Sequence, residues 1–325
     1  MMNNHNTVEV AAIIIAHNAS KWIYECLLSV SASITPVLPI IVDNNSSDST
    51  IEIVQSFQEA VCIQLSRNIG FGKANNIGIT YALNQGCKYV FLLNQDARID
   101  ADTIYNLIKH AVDDTFGILS PVHLNKTGDA IDTLFVNHLS NYGGKDFFSD
   151  LYLGRPIQPI YPVDFLNAAA WLITREFLVS VGGFDPLFFM YGEDDDLCRR
   201  AILNRYKVGL VPSARAYHYR EKSDKSHQQK VLRFTRWNRA YSGMVFRLKW
   251  THRPLAVDFM WMTIGLAVSI IAAILRLRFD YTYTMTRAYL QVVLKLLKIV
   301  KSRRASMGLG EHRIQPPPAS SVQSC

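Results

Sequence analysis

The chain has 325 residues, 49% of them hydrophobic, which is enough apolar side chain to bury the core of one large domain with an appendage and excludes global disorder. Lys and Arg outnumber Asp and Glu by 34 to 27, a formal net charge of +7. No zinc-finger, RNP or basic-zipper pattern accompanies that charge, so nucleic acid is not an expected partner. The five cysteines (Cys26, Cys62, Cys87, Cys198 and Cys325) form no CxxC pair and are odd in number, as in a reduced, intracellular protein with buried thiols.

MMNNHNTVEV has no charged segment leading into an apolar run, so a secretory signal is not expected there. VEVAAIIIA (8–16) is rich in β-branched residues and predicts a buried strand, followed by a helix over 21–33. The pattern repeats with a strand at 38–42 and a helix at 50–59, then a strand at AVCIQLS and a helix at 73–85. A strand at 89–94 and a helix at 101–112 complete it. Strand and helix alternating at this spacing predict an α/β fold with a doubly wound, mostly parallel sheet. Beyond residue 115 the pattern loosens, with short strands such as FGILSPV and LVPSARAYHY. From about 228 the chain reads as helical and basic, and QPPPASSVQSC reads as a disordered tail.

Charge is unevenly placed. Residues 230–313 hold 16 Lys and Arg against three acids, and the remainder holds 18 against 24. The basic stretch contains FMWMTIGLAVSIIAAIL (259–275), seventeen residues without a charge. That falls short of the ~20 residues that usually span a bilayer. Peripheral attachment to an anionic membrane surface is expected, with residues 275–304 as a basic amphipathic face and a single span as the alternative.

Ligands of open α/β sheets bind at the carboxyl ends of the strands. His17 and Asn18 follow the first strand, and Asp43-Asn44-Asn45-Ser46 the second. Arg67-Asn68-Ile69-Gly70 follows the third, and Asn94-Gln95-Asp96 the fourth. Any one such end can be a turn or a cap, but four together favour a ligand site. A further signal is FMYGEDDDLCRR (189–200), where four acids stand in a row at the start of a helical pattern. The helix dipole favours acids there, which accounts for part of the run and not for all four.

IIIAHN, VDNNSSD, NIGFGKANNIG, LLNQDARI and GGFDPLFFMYGEDDDLCRR, in this order, resemble the family 2 glycosyltransferases of the GT-A fold, and more narrowly the bacterial rhamnosyltransferase-like members that build surface polysaccharides. The likeness covers about residues 8–220. It implies a GT-A domain at 1–228, with a nucleotide-binding half at about 8–115 and an acceptor half at about 116–228. A membrane-associated helical segment at 229–310 and the tail at 311–325 would follow.

The resemblance implies a role for each motif. His17, Asn18, Asp43, Asn68, Gly70, Asn76, Asn94 and Asp96 would bind the nucleotide-sugar donor, a dTDP- or UDP-sugar with GDP-sugars left open. Asp43 would accept hydrogen bonds from the nucleotide's base or ribose, with starting a turn as its lesser alternative, and Lys73 could meet a diphosphate or solvent. Asn94-Gln95-Asp96 occupies the place of the family's DxD-like motif, with Asn for the first Asp. Asp96 would then be the main protein ligand of a divalent cation, Mn²⁺ or Mg²⁺, joined by His218. A hard cation neutralises the diphosphate leaving group. The Asp of the family's Glu-Asp pair maps to Asp194, the base that deprotonates the acceptor hydroxyl, with Glu193 beside it. Asp195 and Trp171 would line the acceptor site, although Trp171 suits core packing nearly as well. Asp196 would support the helix and its arginines. The implied acceptor is a lipid-linked saccharide.

Three other readings are weighed against this one. A nucleotidyltransferase would need a Gly-rich loop after the first strand, and IIIAHNASKW has none. A processive synthase would carry QxxRW and several spans, whereas here Arg236-Trp237 lacks the Gln. A non-catalytic sugar-nucleotide-binding protein would not need both Asp96 and Asp194.

Overall fold

A computed structural model describes residues 8–111, 115–219, 228–250 and 253–306. The expected tail, and Cys325 with it, lies outside the described residues. The chain folds as two compact units. Among the described residues the first contains 8–184 and 197–219, and the second 185–196 and 228–306.

The first half runs β1 (Val10–Ala16), α1 (Ile23–Ser31), β2 (Val37–Asp43), α2 (Thr50–Gln55), β3 (Val61–Gln64), α3 (Phe71–Asn84), β4 (Tyr89–Asn94), β5 (Ala97–Ile99) and α4 (Thr103–Ile108). It continues with β6 (Phe116–Asn125), α5 (Thr133–Asn141), α6 (Lys145–Leu153), β7 (Tyr161–Val163), β8 (Ala170–Thr174), α7 (Arg175–Val181), α8 (Glu193–Leu203) and β9 (Lys207–His218). The remaining helices are α9 (Gln228–Trp250), α10 (Leu255–Leu275), α11 (Phe279–Leu294) and α12 (Leu296–Arg304).

The nine strands among the described residues form one sheet in the order β3-β2-β1-β4-β8-β6-β9-β5, with β7 on β9. β1 to β4 are mutually parallel as expected. Beyond β4 the sheet is mixed: β8 runs antiparallel to both β4 and β6, while β9 is parallel to β6 and antiparallel to β5 and β7. The expectation of a mostly parallel sheet therefore holds through β3-β2-β1-β4 and again between β6 and β9, while the pairs made by β5, β7 and β8 are antiparallel.

The sheet is covered on both faces, which is why β1 reads as a continuous apolar run instead of an alternating one. Ala11 and Ile13 enter one core layer, and Val10, Ala12 and Ile14 the other. Ile23, Leu27 and Val30 of α1 cover the second layer. On the first, α3 approaches so closely that a Cβ on Gly78 would stand 2.6 Å from Cγ2 of Ile13.

The second unit has its own apolar core, in which Leu187 and Phe188 join Tyr241, Val245 and Leu248 of α9, Met262 of α10 and Val292 of α11. α10 is longer than the uncharged run, because Leu255–Asp258 forms its first turn. At 21 residues it is the one helix among the described residues long and apolar enough to cross a membrane. At about 1.5 Å per residue it is close to the bilayer's hydrocarbon thickness.

Candidate active site

At the carboxyl edge of β1 and β4, where the strand order reverses, the two strand ends are tied together. The His17 backbone N–H donates to Oε1 of Gln95 at 2.7 Å. Asn18 takes φ 50, and its side chain accepts from the Ser47 N–H at 2.8 Å, binding the β1 loop to the β2 loop. Asp43, nearly buried at the end of β2, accepts from the N–H of Ser46 at 3.1 Å. Its carboxylate thus starts the turn. Asp48 anchors the same region by accepting from the N–H groups of Ser20 and Thr50. Burial raises its pKa, but the bonds from Thr50 and Ser20 outweigh that and hold the carboxyl at about 2.

The β2 and β3 loops are joined by Asn44. Its Nδ2 donates to Asn68 Oδ1 at 3.0 Å, and its Oδ1 accepts from the Ile69 N–H at 2.8 Å. Asn68 Oδ1 also accepts from Gly70, whose φ of 91 would strain any other residue type at the start of α3. Asn76 belongs to the fold's framework: its carboxamide donates to the carbonyl of Phe184 and accepts from the N–H of the same residue, both at 2.8 Å. That two-sided bond is a structural task, and the expected donor contact gives way to it.

The structure brings Asp96 and His218 together. β5 pairs with β9 so that Ala97 lies opposite His218, and Nε2 of His218 stands 3.2 Å from Oδ1 of Asp96. His218 is buried and Asp96 partly exposed. Nδ1 of His218 has no hydrogen-bond partner among the described residues. Asn94, two residues before Asp96 at the end of β4, accepts from the thiol of Cys26 through its backbone carbonyl at 3.5 Å. Burial, with the charge of Asp96, pushes that thiol well above the ordinary range, so Cys26 is a spacer and no nucleophile. The carboxylate and imidazole are an oxygen–nitrogen pair suited to a divalent cation. Among the described residues no group of three or more His, Cys, Asp or Glu could hold a metal alone. A cation at Asp96 and His218 would need further ligands from the donor diphosphate.

Trp171 does not line a surface. It is 0% exposed in β8, with its ring stacked on Phe184 at 6.4 Å and an 8° interplanar angle. The ring has no free face for a sugar, and core packing replaces the expected acceptor role.

The acidic run sorts by helical phase. Glu193 and Asp196, three apart and so on one face of α8, are buried, while Asp194 and Asp195 are partly exposed. The helix is entered through Tyr191 and Gly192 at φ 70 and 86. Left-handed backbone at a tyrosine costs of order 1 kcal/mol or more and persists only where surroundings impose it. Ser242 on α9 does part of this by donating to the Met190 carbonyl at 3.1 Å.

Asp196 has a partner that sequence reasoning missed. Lys249, 0% exposed, reaches Asp196 at 2.5 Å and Asp185 at 2.6 Å. Nε1 of Trp250 donates to Asp196 at 3.0 Å, and the Ser302 hydroxyl bonds Asp185. Burial opposes ionisation of Asp185, yet Lys249 and Ser302 hold it down at about 2. The guanidinium of Arg200, assigned to Asp196 from sequence, donates to the carbonyls of Val181 and Gly183. Nothing in the spacing of Lys249 announced this pairing. The available signal was the Lys-Trp pair that ends α9. Glu193 differs from Asp196 in that its Oε2 is buried without a hydrogen-bond partner among the described residues. Burial, reinforced by the neighbouring Asp194, raises its pKa to about 8, so it is mostly protonated at neutral pH.

The profile described as "Glycosyl transferase family 2" matches residues 11–151, and "Glycosyl transferase family group 2" matches residues 89–297. The chain is 25% identical to a low-salt glycan biosynthesis hexosyltransferase of Haloferax volcanii over 78% of this chain and 83% of that protein. It is 26% identical to the rhamnosyltransferase WbbL of Escherichia coli K12 over 69% of this chain and 89% of that protein. Among solved structures, a mannosyltransferase from Pyrobaculum calidifontis in complex with GDP-Man and Mn²⁺ superposes with a TM-score of 0.53 at 17% identity, over 89% of this chain and 87% of that one. Staphylococcus aureus TarS in complex with UDP-GlcNAc gives 0.51 at 15% identity, over 93% and 84%. The chain is a glycosyltransferase of the GT-A fold and belongs to the family 2 glycosyltransferases.

Proposed function

We propose that the protein transfers a sugar, with rhamnose the first candidate, from a nucleoside-diphosphate sugar to a hydroxyl of a lipid-linked saccharide in cell-surface polysaccharide assembly, with inversion at the anomeric carbon. The observation that carries the reading is the approach of His218 to Asp96 at 3.2 Å at the strand edge where the β1, β2 and β3 loops are tied together. Similarity to the rhamnosyltransferase of Escherichia coli supports the sugar class. The M. tuberculosis relative named N-acetylglucosaminyl-diphospho-decaprenol L-rhamnosyltransferase supports the acceptor class, at 25% identity over 58% of this chain.

Asp96 and His218 would hold a divalent cation, Mn²⁺ or Mg²⁺. When bound, it neutralises charge on the departing diphosphate. The loops carrying His17, Asn18, Asp43 and Asn68 form the wall of the donor pocket. Asp194, partly exposed on the first turn of α8, accepts the acceptor's hydroxyl proton as that oxygen bonds to the anomeric carbon and the bond to the nucleoside diphosphate breaks. Glu193, buried and mostly protonated at neutral pH, places no second charge beside that base. Asp195 is the acceptor-side neighbour.

Asp194→Asn tests the assignment. Removing a general base costs about 10²–10⁴ in turnover, and binding of the donor nucleotide should stay within twofold, because no metal ligand is lost. A variant that turns over at the wild-type rate would refute Asp194 as base.

A further inference from the structure

The second unit contains a cavity of about 540 Å³, within the range of ligand pockets, that the donor and base residues do not use. Its lining includes three guanidinium groups, Arg236 and Arg239 from α9 and Arg278 from the α10–α11 junction, against one carboxylate, Asp280. Asp280 is itself paired with Arg233, so the cavity wall carries an excess of positive charge. All three lining arginines are exposed, with Arg239 against the Tyr191 ring and Arg278 against the Tyr281 ring. Planar forks of this kind bind phosphate oxygens two at a time.

Two further observations specify the anion. The cavity begins where α10 ends, and three apolar side chains that alternate there with Arg276, Arg278 and Asp280 are exposed: Leu275 is 79% exposed, Leu277 76% and Phe279 62%. A soluble anion has no use for such neighbours, whereas a phosphate carrying a hydrocarbon chain does. Arg239 also stacks on Tyr191 at 4.9 Å, three residues before Asp194. The cavity and the segment bearing the base thus share a side chain.

We propose that this cavity binds the diphosphate of a polyprenyl-diphosphate-linked acceptor, with the hydrocarbon chain leaving along α10. The proposal rests on the reading of the acceptor as lipid-linked. Diphosphate capture at Arg236 and Arg278 would fix the first sugar of the acceptor at a set distance from its anchor.

The test is calorimetric binding of farnesyl diphosphate, farnesol and inorganic pyrophosphate to the full chain in detergent micelles. It is run on the wild type, on Arg236→Ala/Arg278→Ala and on Arg236→Lys/Arg278→Lys. The proposal predicts that farnesyl diphosphate binds at least tenfold more tightly than either farnesol or pyrophosphate. Its affinity should fall at least tenfold in the alanine variant and less in the lysine variant, with donor-nucleotide binding unchanged in all three. Pyrophosphate binding as tightly as farnesyl diphosphate would overturn the lipid assignment and mark a free-anion site. Farnesyl diphosphate binding equally to wild type and the alanine variant would overturn the cavity itself. Because the nucleotide is measured on the same samples, normal donor binding with no farnesyl diphosphate binding would sink this inference and leave the donor site standing.

Discussion

Lys249 is the side chain whose loss should be felt most. It is fully buried between Asp185 and Asp196, and removing it leaves two buried carboxylates without their cation. Breaking a buried pair by deleting one partner costs about 3–5 kcal/mol, so Lys249→Met should lower the denaturant midpoint by that equivalent at pH 7. A midpoint unchanged within error would show that the network does not hold the 185–196 segment. Glu193 makes a pH-dependent prediction. Its folded pKa of about 8 lies above its ordinary 4.5, so between those values the folded state binds more protons than the unfolded one. Stability therefore falls as pH rises from 4.5 to 8. In Glu193→Gln that share of the slope disappears, so the gap between variant and wild type should widen in the variant's favour up to pH 8. Parallel pH profiles would contradict the assignment. At this scale the sequence was legible where a residue type has few tasks. The family resemblance, more than the residue types, set Asp96 beside His218, and the structure puts them 3.2 Å apart. Asn76, Trp171 and Lys249 were illegible for a common reason. Each is decided by a partner distant in sequence, Phe184 for the first two and Asp185 and Asp196 for the third, and no local pattern encodes such a partner.

Among the elements, β4 falls at Tyr89–Asn94 as its apolar run predicts, because both faces are buried and the run ends where the polar site begins. α5 went unread, although Asp132 caps it by accepting from the Phe135 N–H at 2.9 Å, since the surrounding Gly and Asn residues masked its short apolar period. β5 and β7, three residues each, carry no periodicity to detect. The antiparallel insertion of β8 beside β4 is a topological fact that local sequence does not contain. The seating of α3 on the sheet depends on Gly78. A valine there would force its side chain into Ile13, and overpacking of this kind costs about 1–3 kcal/mol. Gly78→Val should lower the thermal midpoint and weaken nucleotide binding through the displaced Asn68–Gly70 loop. Unchanged values for both would show that α3 is free to shift.

Across the whole molecule, charge and apolarity separate along the chain. The acidic excess lies in the part that carries the sheet, and the basic excess lies with α10, whose Trp261, Ile264, Val268 and Ile271 are exposed. Sequence showed both features but undercounted the helix, because a charge-free run stops at Asp258 while the helix includes it. Exposed apolar surface of this extent marks a membrane or partner contact. Membrane attachment through this face predicts that the wild type fractionates with membranes and that Val268→Glu/Ile271→Glu moves it to the soluble fraction without changing its circular dichroism, and unaltered fractionation would contradict such attachment.

The most direct test of the central claim is calorimetric titration of dTDP, UDP and GDP into wild type and Asp96→Ala, with and without Mn²⁺. The account predicts that one nucleotide binds in a Mn²⁺-dependent way and that the dependence is lost in the variant. Binding that is equally tight without metal, or unchanged by the substitution, would contradict a donor site built on Asp96 and His218.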